Sequence, residues 1–265
     1  GEDAMNTPQQ LSVRNLSIMF GGVHAVEDVS FDVEPGEVFA IIGPNGAGKS
    51  TIFNLISRLY EPSAGSIHYG EHDLLQLPAH KVVQTGIART FQNIELFEQA
   101  TVLQNLLVGR HHRTSRNPFT SFAFLPAVKN AEIEHRRKVE DIIDLLELAQ
   151  YRDERIADLS YGARKNVELA RALCAEPTML LLDEPASGLN NEETDDVGFW
   201  LEDIKHDLGV TLVMVEHDMG LVGQVADRVM AISDGRLLAI GTPDEVRENT
   251  EVQQAYLGVA DEEAG

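Results

Sequence analysis

The feature that most constrains this sequence is a glycine-rich loop between an apolar run and a helical pattern. The run Val38–Ile42 is short and continuously apolar, as expected for a strand buried on both faces. Residues 43–50 follow at once and fit the pattern GxxxxGK(S/T). The next apolar residues have helical spacing: Ile52, Leu55, Ile56 and Leu59. The order of strand, glycine loop and helix predicts an α/β fold built around a phosphate-binding loop (P-loop).

The residue types in this loop suit phosphate binding. Glycines allow backbone N–H groups to converge on phosphate oxygens, where side chains would block the approach. Lys49 supplies a mobile positive charge, Ser50 supplies a hydroxyl for Mg²⁺, and the helix N-terminus adds its dipole. We therefore predict that the phosphates contact the whole loop: Gly43, Pro44, Asn45, Gly46, Ala47, Gly48, Lys49, Ser50 and Thr51.

An acidic pair ends a second apolar run. Asp183 and Glu184 directly follow residues 179–182. In a parallel sheet, the carboxyl ends of the strands are where ligands bind, so this pair is expected beside the glycine loop. Asp183 would hold Mg²⁺, and Glu184 would orient and deprotonate an attacking water. Taken alone, the pattern also fits a strand end with helix-capping acids, and the glycine loop is what favours the catalytic interpretation.

A histidine occupies a comparable position after the apolar residues 210–215. His217 lies between Glu216 and Asp218. A neutral His217 could donate a hydrogen bond to a γ-phosphate and sense its loss, whereas a polar loop residue is the simpler interpretation of any single histidine.

Charge and composition narrow the possible partners. The 265 residues include 43 Asp and Glu against 21 Lys and Arg, a formal net charge of −22. Nucleic acids and anionic lipid surfaces would repel such a chain, whereas basic cytoplasmic loops of membrane proteins would attract it. Acidity that only aids solubility, or that reflects a salt-tolerant source, explains the charge equally well. With no predicted membrane span or signal peptide, the sequence predicts a cytoplasmic protein whose single cysteine, Cys174, is a buried apolar residue.

The remaining patterns predict the order of structural parts. Residues 11–19 and 29–33 alternate in polarity, as N-terminal antiparallel strands would, and late strands are expected at 229–232 and 237–240. A long amphipathic helix is predicted over residues 131–150 within a helical subdomain at about 93–176. We interpret residues 11–258 as one domain, flanked by an N-terminal tail (1–10), whose first four residues precede Met5 as initiator, and an acidic C-terminal tail (259–265).

Together these residues resemble the ATP-binding cassette (ABC) ATPase family over about residues 11–258. Gln92, in Thr90-Phe91-Gln92-Asn93, matches the family's Q-loop, which contacts Mg²⁺ and relays nucleotide state to a membrane subunit. Leu159-Ser160-Tyr161-Gly162 matches the signature motif usually written LSGGQ, which reaches across a dimer to the other copy's γ-phosphate. By the same match His217 resembles the switch histidine, and Phe20 the aromatic that stacks on adenine.

The resemblance implies a P-loop NTPase core with a mixed sheet, an N-terminal antiparallel β part and a helical subdomain. It also implies ATP and Mg²⁺ as cofactors. The implied catalytic residues are Glu184, His217, Lys49 and Gln92. The implied metal-binding residues are Ser50, Gln92 and Asp183. The implied nucleotide contacts outside the P-loop are Phe20, Ser160, Tyr161 and Gly162.

Two motifs depart from the family pattern. The signature has Tyr161 in place of its first glycine and Ala163 in place of its glutamine, while Ser160 and Gly162 are kept. The D-loop ends in Asn190, where the family commonly has Asp. Neither departure changes Lys49, Glu184 or His217, so hydrolysis is expected to survive.

Further segments resemble ATP-binding subunits of branched-chain amino acid importers. They are Arg89-Thr90-Phe91-Gln92, Asn105-Leu106-Leu107-Val108, Gly188-Leu189-Asn190, Glu216-His217-Asp218-Met219 and Ala255-Tyr256-Leu257-Gly258. The implied partners are membrane-embedded permease subunits, a second ATPase copy or a related chain and, indirectly, a solute-binding protein, with no nucleic acid. The implied location is the cytoplasmic face of the cell membrane. Urea or amide importers and lipopolysaccharide exporters are near relatives, so the solute stays open.

Two other functions also stay open. A soluble ABC protein acting in translation, DNA repair or cluster assembly usually carries two cassettes or a long coiled coil, and the charge of −22 disfavours nucleic acid as a partner. An unrelated P-loop enzyme, such as a small kinase or GTPase, has no reason to carry the 159–162 motif. The Asn-Lys-x-Asp motif of GTPases does not occur.

Overall fold

The computed structural model describes residues 7–90, 96–114 and 125–263. The strands are β1 (Leu11–Phe20), β2 (Val23–Val33), β3 (Val38–Ile42), β4 (Ala64–Tyr69), β5 (His72–Asp73), β6 (Ile87–Arg89), β7 (Met179–Asp183), β8 (Thr211–Val215), β9 (Arg228–Ser233) and β10 (Arg236–Gly241). The α-helices are α1 (Lys49–Ile56), α2 (Ala79–Val82), α3 (Val102–Thr114), α4 (Leu125–Leu145), α5 (Tyr161–Cys174), α6 (Asn191–Leu208), α7 (Met219–Val225), α8 (Pro243–Glu248) and α9 (Thr250–Glu263). Short 3-10 helices cover Leu74–Gln76, Val83–Thr85, Ala149–Tyr151 and Ile156–Asp158.

The larger sheet is mixed and has six strands in the order β10-β9-β3-β8-β7-β6. The five strands β9, β3, β8, β7 and β6 are each parallel to the next in this order, and β10 pairs antiparallel with β9. Every residue of β3, β7 and β8 is buried, because these strands are covered on both faces. Their continuous apolar runs therefore predicted the strands correctly, and β3 has the predicted bounds.

The smaller sheet is antiparallel, with the order β2-β1-β4-β5. Along β1 the buried residues are Leu11, Val13, Leu16 and Ile18. A shift in register between Val13 and Leu16 interrupts strict alternation, and Asn15 there has a φ of 49°. These buried residues share one apolar core with Ile52, Phe53 and Ile56 of α1. The predicted fold class, with its mixed sheet and N-terminal antiparallel part, is confirmed.

The chain divides into two compact units. The sheet unit comprises Gly1–Arg89, Thr178–Ser187 and Asn191–Gly265, and it contains both sheets. The helical unit comprises Thr90–Pro177 and Gly188–Asn190, and it contains α3, α4 and α5. Cys174 is 2% exposed in the helical unit, and burial raises the pKa of its thiol to about 12. The interpretation of Cys174 as a buried apolar residue is confirmed.

The bounds of one predicted helix are wrong, and one residue of a predicted helical pattern lies beyond its helix. The helix expected over residues 131–150 is α4, Leu125–Leu145, which ends earlier because Glu147 adopts the left-handed conformation (φ 54°). The apolar residues spaced along this segment are buried nevertheless: Val139, Ile142, Ile143 and Leu146. Helix α1 ends at Ile56, because Arg58 has a φ of 60°, and Leu59 beyond it is 56% exposed rather than buried.

Candidate functional site

The P-loop connects β3 to α1 and fits tightly against neighbouring backbone. A Cβ atom at Gly43 would lie 2.2 Å from the carbonyl oxygen of Ile232. At Gly48, which has a φ of +100°, a Cβ would lie 2.5 Å from the carbonyl oxygen of Ala25. Both approaches are to backbone atoms, which cannot move away as a side-chain end could. Only glycine therefore fits at these two positions.

The same carbonyl of Ala25 limits a third glycine, in the turn between β9 and β10. A Cβ at Gly235 would lie 2.6 Å from it. The Gly235 N–H donates to the Ala47 carbonyl (2.9 Å), and the Glu27 N–H donates to the Gly235 carbonyl (2.8 Å). This turn therefore joins the P-loop to β2.

The start of α1 has the features of an anion site. Gly48 is the N-cap, and no side chain caps the first turn, so the helix presents unpaired N–H groups and the positive end of its dipole. The Lys49 ammonium donates to the carbonyl oxygens of Gly43 and Pro44 within the loop. Burial lowers the pKa of Lys49, and the negative charges of Glu184 and Glu216 act in the opposite direction. A largely buried cation beside uncapped amides fits a polyphosphate well.

The register of three neighbouring strands brings three of the predicted site segments to one edge of the sheet. Val215 of β8 is paired with Ile41 of β3 on one side and with Asp183 of β7 on the other. The P-loop, the Asp183-Glu184 pair and the Glu216-His217 pair therefore leave the sheet side by side.

Asp183 is buried and paired with an arginine that sequence reasoning missed. The Arg89 guanidinium donates through Nε (3.0 Å) and Nη2 to Asp183 Oδ2. It also donates through Nη1 to Asn54 Oδ1 (2.8 Å), and it lies over the Phe53 ring. The Asp183 carboxylate and the exposed Ser50 hydroxyl, one at the end of β7 and the other in the first turn of α1, are the hard oxygen ligands that Mg²⁺ prefers.

Replacing Arg89 by Leu is expected to lower the free energy of unfolding by about 3–5 kcal/mol, because Asp183 would stay buried without this cation. Urea denaturation measures the effect. The control is Arg247→Leu, which removes the partner of Asp244 in an exposed pair and should leave the midpoint nearly unchanged. Equal losses in the two variants would show that the Arg89 pair contributes no more than a surface pair.

Glu184 and His217 differ in how they are held. Glu184 has a φ of 47°, uncommon for a residue with a side chain, and its N–H donates to the Val215 carbonyl (2.9 Å). The His217 side chain is 56% exposed, and its Nδ1 lies 3.9 Å from Glu216 Oε2. The backbone of Glu184 is thus fixed, while the imidazole of His217 is open to a ligand.

Glu216 is the second residue that sequence reasoning missed. Its carboxylate has no exposed surface, and it accepts hydrogen bonds from the backbone N–H groups of Ala186, His217 and Asp218. The signal for finding it was present, since an acidic residue at the end of a buried strand is the pattern that identified Asp183.

The signature residues lie at the start of α5 in the helical unit. Ser160 is its exposed N-cap, and its Oγ accepts a hydrogen bond from the Ala163 N–H (3.2 Å). Tyr161 is 48% exposed, with the Lys165 ammonium 5.8 Å from its ring centroid. A Cβ at Gly188, which has a φ of +78°, would lie 2.9 Å from Cε1 of Tyr161. Gly162 follows in the first turn of the helix, so the motif presents a helix start at the surface.

Phe20 is the remaining predicted site residue that the structure describes. Phe20, at the end of β1, is 46% exposed and meets the Tyr60 ring edge-on, with the centroids 5.2 Å apart. An exposed aromatic pair of this kind offers a surface for a planar base. Gln92 lies outside the described residues, and its role stays a prediction.

Two family models and many known proteins are similar to this chain. The family model described as "ABC transporter" matches residues 26–187, and the one described as "Branched-chain amino acid ATP-binding cassette transporter" matches residues 236–262. The high-affinity branched-chain amino acid transport ATP-binding protein BraF of Pseudomonas aeruginosa is 38% identical over 94% of this chain and 98% of its own length. LivG of Escherichia coli, with the same description, is 36% identical over the same shares.

Solved structures are similar as well. The ADP conformation of MJ1267, an ATP-binding cassette of an ABC transporter, has a TM-score of 0.82 and 30% identity, covering 95% of this chain and all of that one.

Among the described helices, none is both long and apolar enough to cross a bilayer.

Proposed function

The chain belongs to the ABC transporter family, and from this premise we propose that it is the ATP-hydrolysing subunit that powers a branched-chain amino acid importer. It binds ATP, as members of the family do. The observation that carries the proposal is the common sheet edge at which the P-loop, Asp183-Glu184 and Glu216-His217 meet.

Hydrolysis follows from the chemistry of these groups. Lys49 and the N–H groups at the start of α1 bind the β- and γ-phosphates and stabilise the charge that develops on them. The Glu184 carboxylate accepts a proton from the attacking water, and His217 donates a hydrogen bond to a γ-phosphate oxygen. Water bonds to the γ-phosphorus as the bond to the β–γ bridging oxygen breaks. Ser50 and Asp183, with Gln92, would hold Mg²⁺, which neutralises phosphate charge when bound.

A second ATP-binding subunit completes each nucleotide site. ATP-binding subunits of this family dimerise, and the exposed start of α5 supports a contact with nucleotide bound by a partner. The Gly162 N–H and the Ser160 hydroxyl would bind the γ-phosphate held by the other subunit's P-loop, and Tyr161 would line that contact. ATP then joins the two subunits only while the γ-phosphate is present, so hydrolysis releases them.

The likeness to BraF and LivG and the second family match, over residues 236–262, support branched-chain amino acids as the solute. Both features favour this solute over urea, amides and lipopolysaccharide. The subunit itself would not touch the solute, because its role is to drive permease subunits from the cytoplasmic face of the membrane.

A groove in the helical unit supports the docking of a permease. The groove is lined by Phe97, Glu98, Gln99, Ala100, Gln104 and Val108. In the sequence, Phe97 comes four positions after Asn93, the last residue of the Q-loop segment. Phe97 is 57% exposed and Val108 37% exposed, so the groove offers an apolar contact flanked by acid. A cytoplasmic permease loop, apolar at its centre and basic around it, has the complementary chemistry.

The test is solute uptake by cells that express Glu184→Gln in place of the wild-type subunit. We expect uptake of labelled leucine, isoleucine and valine to fall to the level of a strain without the gene, because the importer would lose its energy source. Uptake of labelled urea in the same cells should stay unchanged and serves as the control. Normal leucine uptake together with lost urea uptake would move the assignment to the urea and amide branch.

A further inference from the structure

The buried carboxylate of Glu216 lies where three strands of the site come together. The backbone N–H of Glu216 donates to the carbonyl of Ile41, near the end of β3 (3.2 Å). Its Oε1 accepts from the Ala186 N–H, two residues after Glu184 (2.8 Å). Its Oε2 accepts from the N–H groups of His217 (2.9 Å) and Asp218 (3.0 Å). One residue thus contacts the segments that carry Lys49, Glu184 and His217.

The chemistry of this position requires an acceptor without donors. Three backbone N–H groups converge on one side chain with 0% exposure, and the bond from Ala186 is itself buried, so that N–H needs this acceptor. A carboxylate has only acceptor positions, whereas an amide would turn donors toward some of these N–H groups. A buried charge is costly unless hydrogen bonds compensate for it, and here the three backbone N–H groups do so.

We propose that Glu216 is a positioning residue of the hydrolysis site, holding the segment after Glu184 at a fixed distance from His217. This inference rests on the proposed function. The bond from Ala186 is the only one of the three that joins segments distant in sequence, since His217 and Asp218 directly follow Glu216. The Glu184 N–H would keep its bond to the Val215 carbonyl. Loss of the Ala186 bond would free the residues after Glu184 and thereby loosen the Glu184 side chain relative to His217. Misplacement by about 1 Å can lower a rate about 100-fold.

Two variants remove the Ala186 bond by different means. In Glu216→Gln, the single amide oxygen is expected to face His217 and Asp218, which together offer two donors, and the NH₂ group would then face the Ala186 N–H. In Glu216→Asp, the carboxylate is kept but is one methylene shorter, so it reaches the two following N–H groups and falls short of Ala186. The matched control is Glu37→Gln, which weakens a partly buried pair with Arg228 at the opposite end of β3.

The first measurement is amide hydrogen exchange by NMR on the full chain without nucleotide. In both Glu216 variants, exchange at Ala186 should quicken at least about 10-fold, while the amides within β7 stay protected. Glu37→Gln should leave exchange at Ala186 unchanged. Unchanged exchange at Ala186 in both Glu216 variants would overturn the inference, and this result does not depend on enzymatic activity.

The second measurement is steady-state ATP hydrolysis. In both variants kcat should fall about 10-fold or more while KM for ATP changes less than about 3-fold, because the ground-state phosphate contacts remain. In a His217→Ala background, the same Glu216 substitution should cost less than it does alone, since residues that act together are not additive. Full multiplication of the two effects, or an equal loss in Glu37→Gln, would overturn the positioning role. If wild-type protein did not hydrolyse ATP, the proposed function would fail, while the exchange data would still decide whether Glu216 holds the segment.

Discussion

The Glu184→Gln variant is expected to bind ATP, to hydrolyse it about 100-fold or more slowly than wild type, and to accumulate as an ATP-dependent dimer. The substitution keeps the size of the side chain and removes its ability to take a proton from water. Neither Lys49 nor the start of α1 changes, so the nucleotide contacts survive. A γ-phosphate that is not cleaved keeps joining the two subunits.

Phosphate release measures the rate, and light scattering after size exclusion, with and without ATP and Mg²⁺, measures the mass. Glu192→Gln provides the matched control, because Glu192 is an exposed carboxylate in the first turn of α6. It should hydrolyse ATP as wild type does and stay monomeric after turnover. A Glu184→Gln protein that remained monomeric with ATP and Mg²⁺ would contradict the two-subunit site for the isolated chain.

The Lys49→Ala variant should lose both ATP affinity and turnover. A hydrogen bond to a charged group contributes about 1.5–3 kcal/mol, which corresponds to a loss of about 10- to 150-fold in affinity. The loss of kcat should be larger still, because the charge on the transferring phosphoryl group grows in the transition state. Titration with a fluorescent ATP analogue and phosphate release give the two values.

Folding can be separated from function in this variant. Burial already lowers the pKa of Lys49, so the nucleotide-free fold bears a cost for its charge, and we expect alanine to change the unfolding midpoint little. Lys81→Ala, at an exposed site in α2, is the control for removal of a lysine. Wild-type affinity and turnover in Lys49→Ala would contradict the assignment of residues 43–50 as the phosphate site.

Local sequence patterns were sufficient for the elements that build the site. The run Val38–Ile42 could be assigned as β3 because burial on both faces demands an uninterrupted apolar strand. The ends of helices α1 and α4 could not be assigned, because single residues in the left-handed conformation, Arg58 and Glu147, set them. Apolar spacing carries no information about such a residue. Neither Arg58 nor Glu147 is a glycine, so residue type gave no signal either.

Contacts between segments distant in sequence could not be predicted either. Arg89 and Asp183 are 94 positions apart, and Ala186 and Glu216 are 30 apart. Their pairing depends on the strand order, which a single sequence does not encode locally. Lys49, Asp183, Glu184 and His217 could be proposed in advance only because each belongs to a short motif. Arg89 belongs to a segment that resembles importer subunits, but that resemblance gave no sign of its bond to Asp183, which depends on the pairing of β6 with β7.

The turn at Gly235 bears on how relatives of this protein can be recombined. It packs against Ala25 and bonds to the P-loop at Ala47, and the segment matched by the branched-chain family begins at the next residue, Arg236. A chimaera that exchanges this C-terminal segment should therefore keep Gly235 with the N-terminal parent. A junction placed one residue earlier would take this position from the other parent, and any residue other than glycine there would disturb the nucleotide loop rather than the exchanged part.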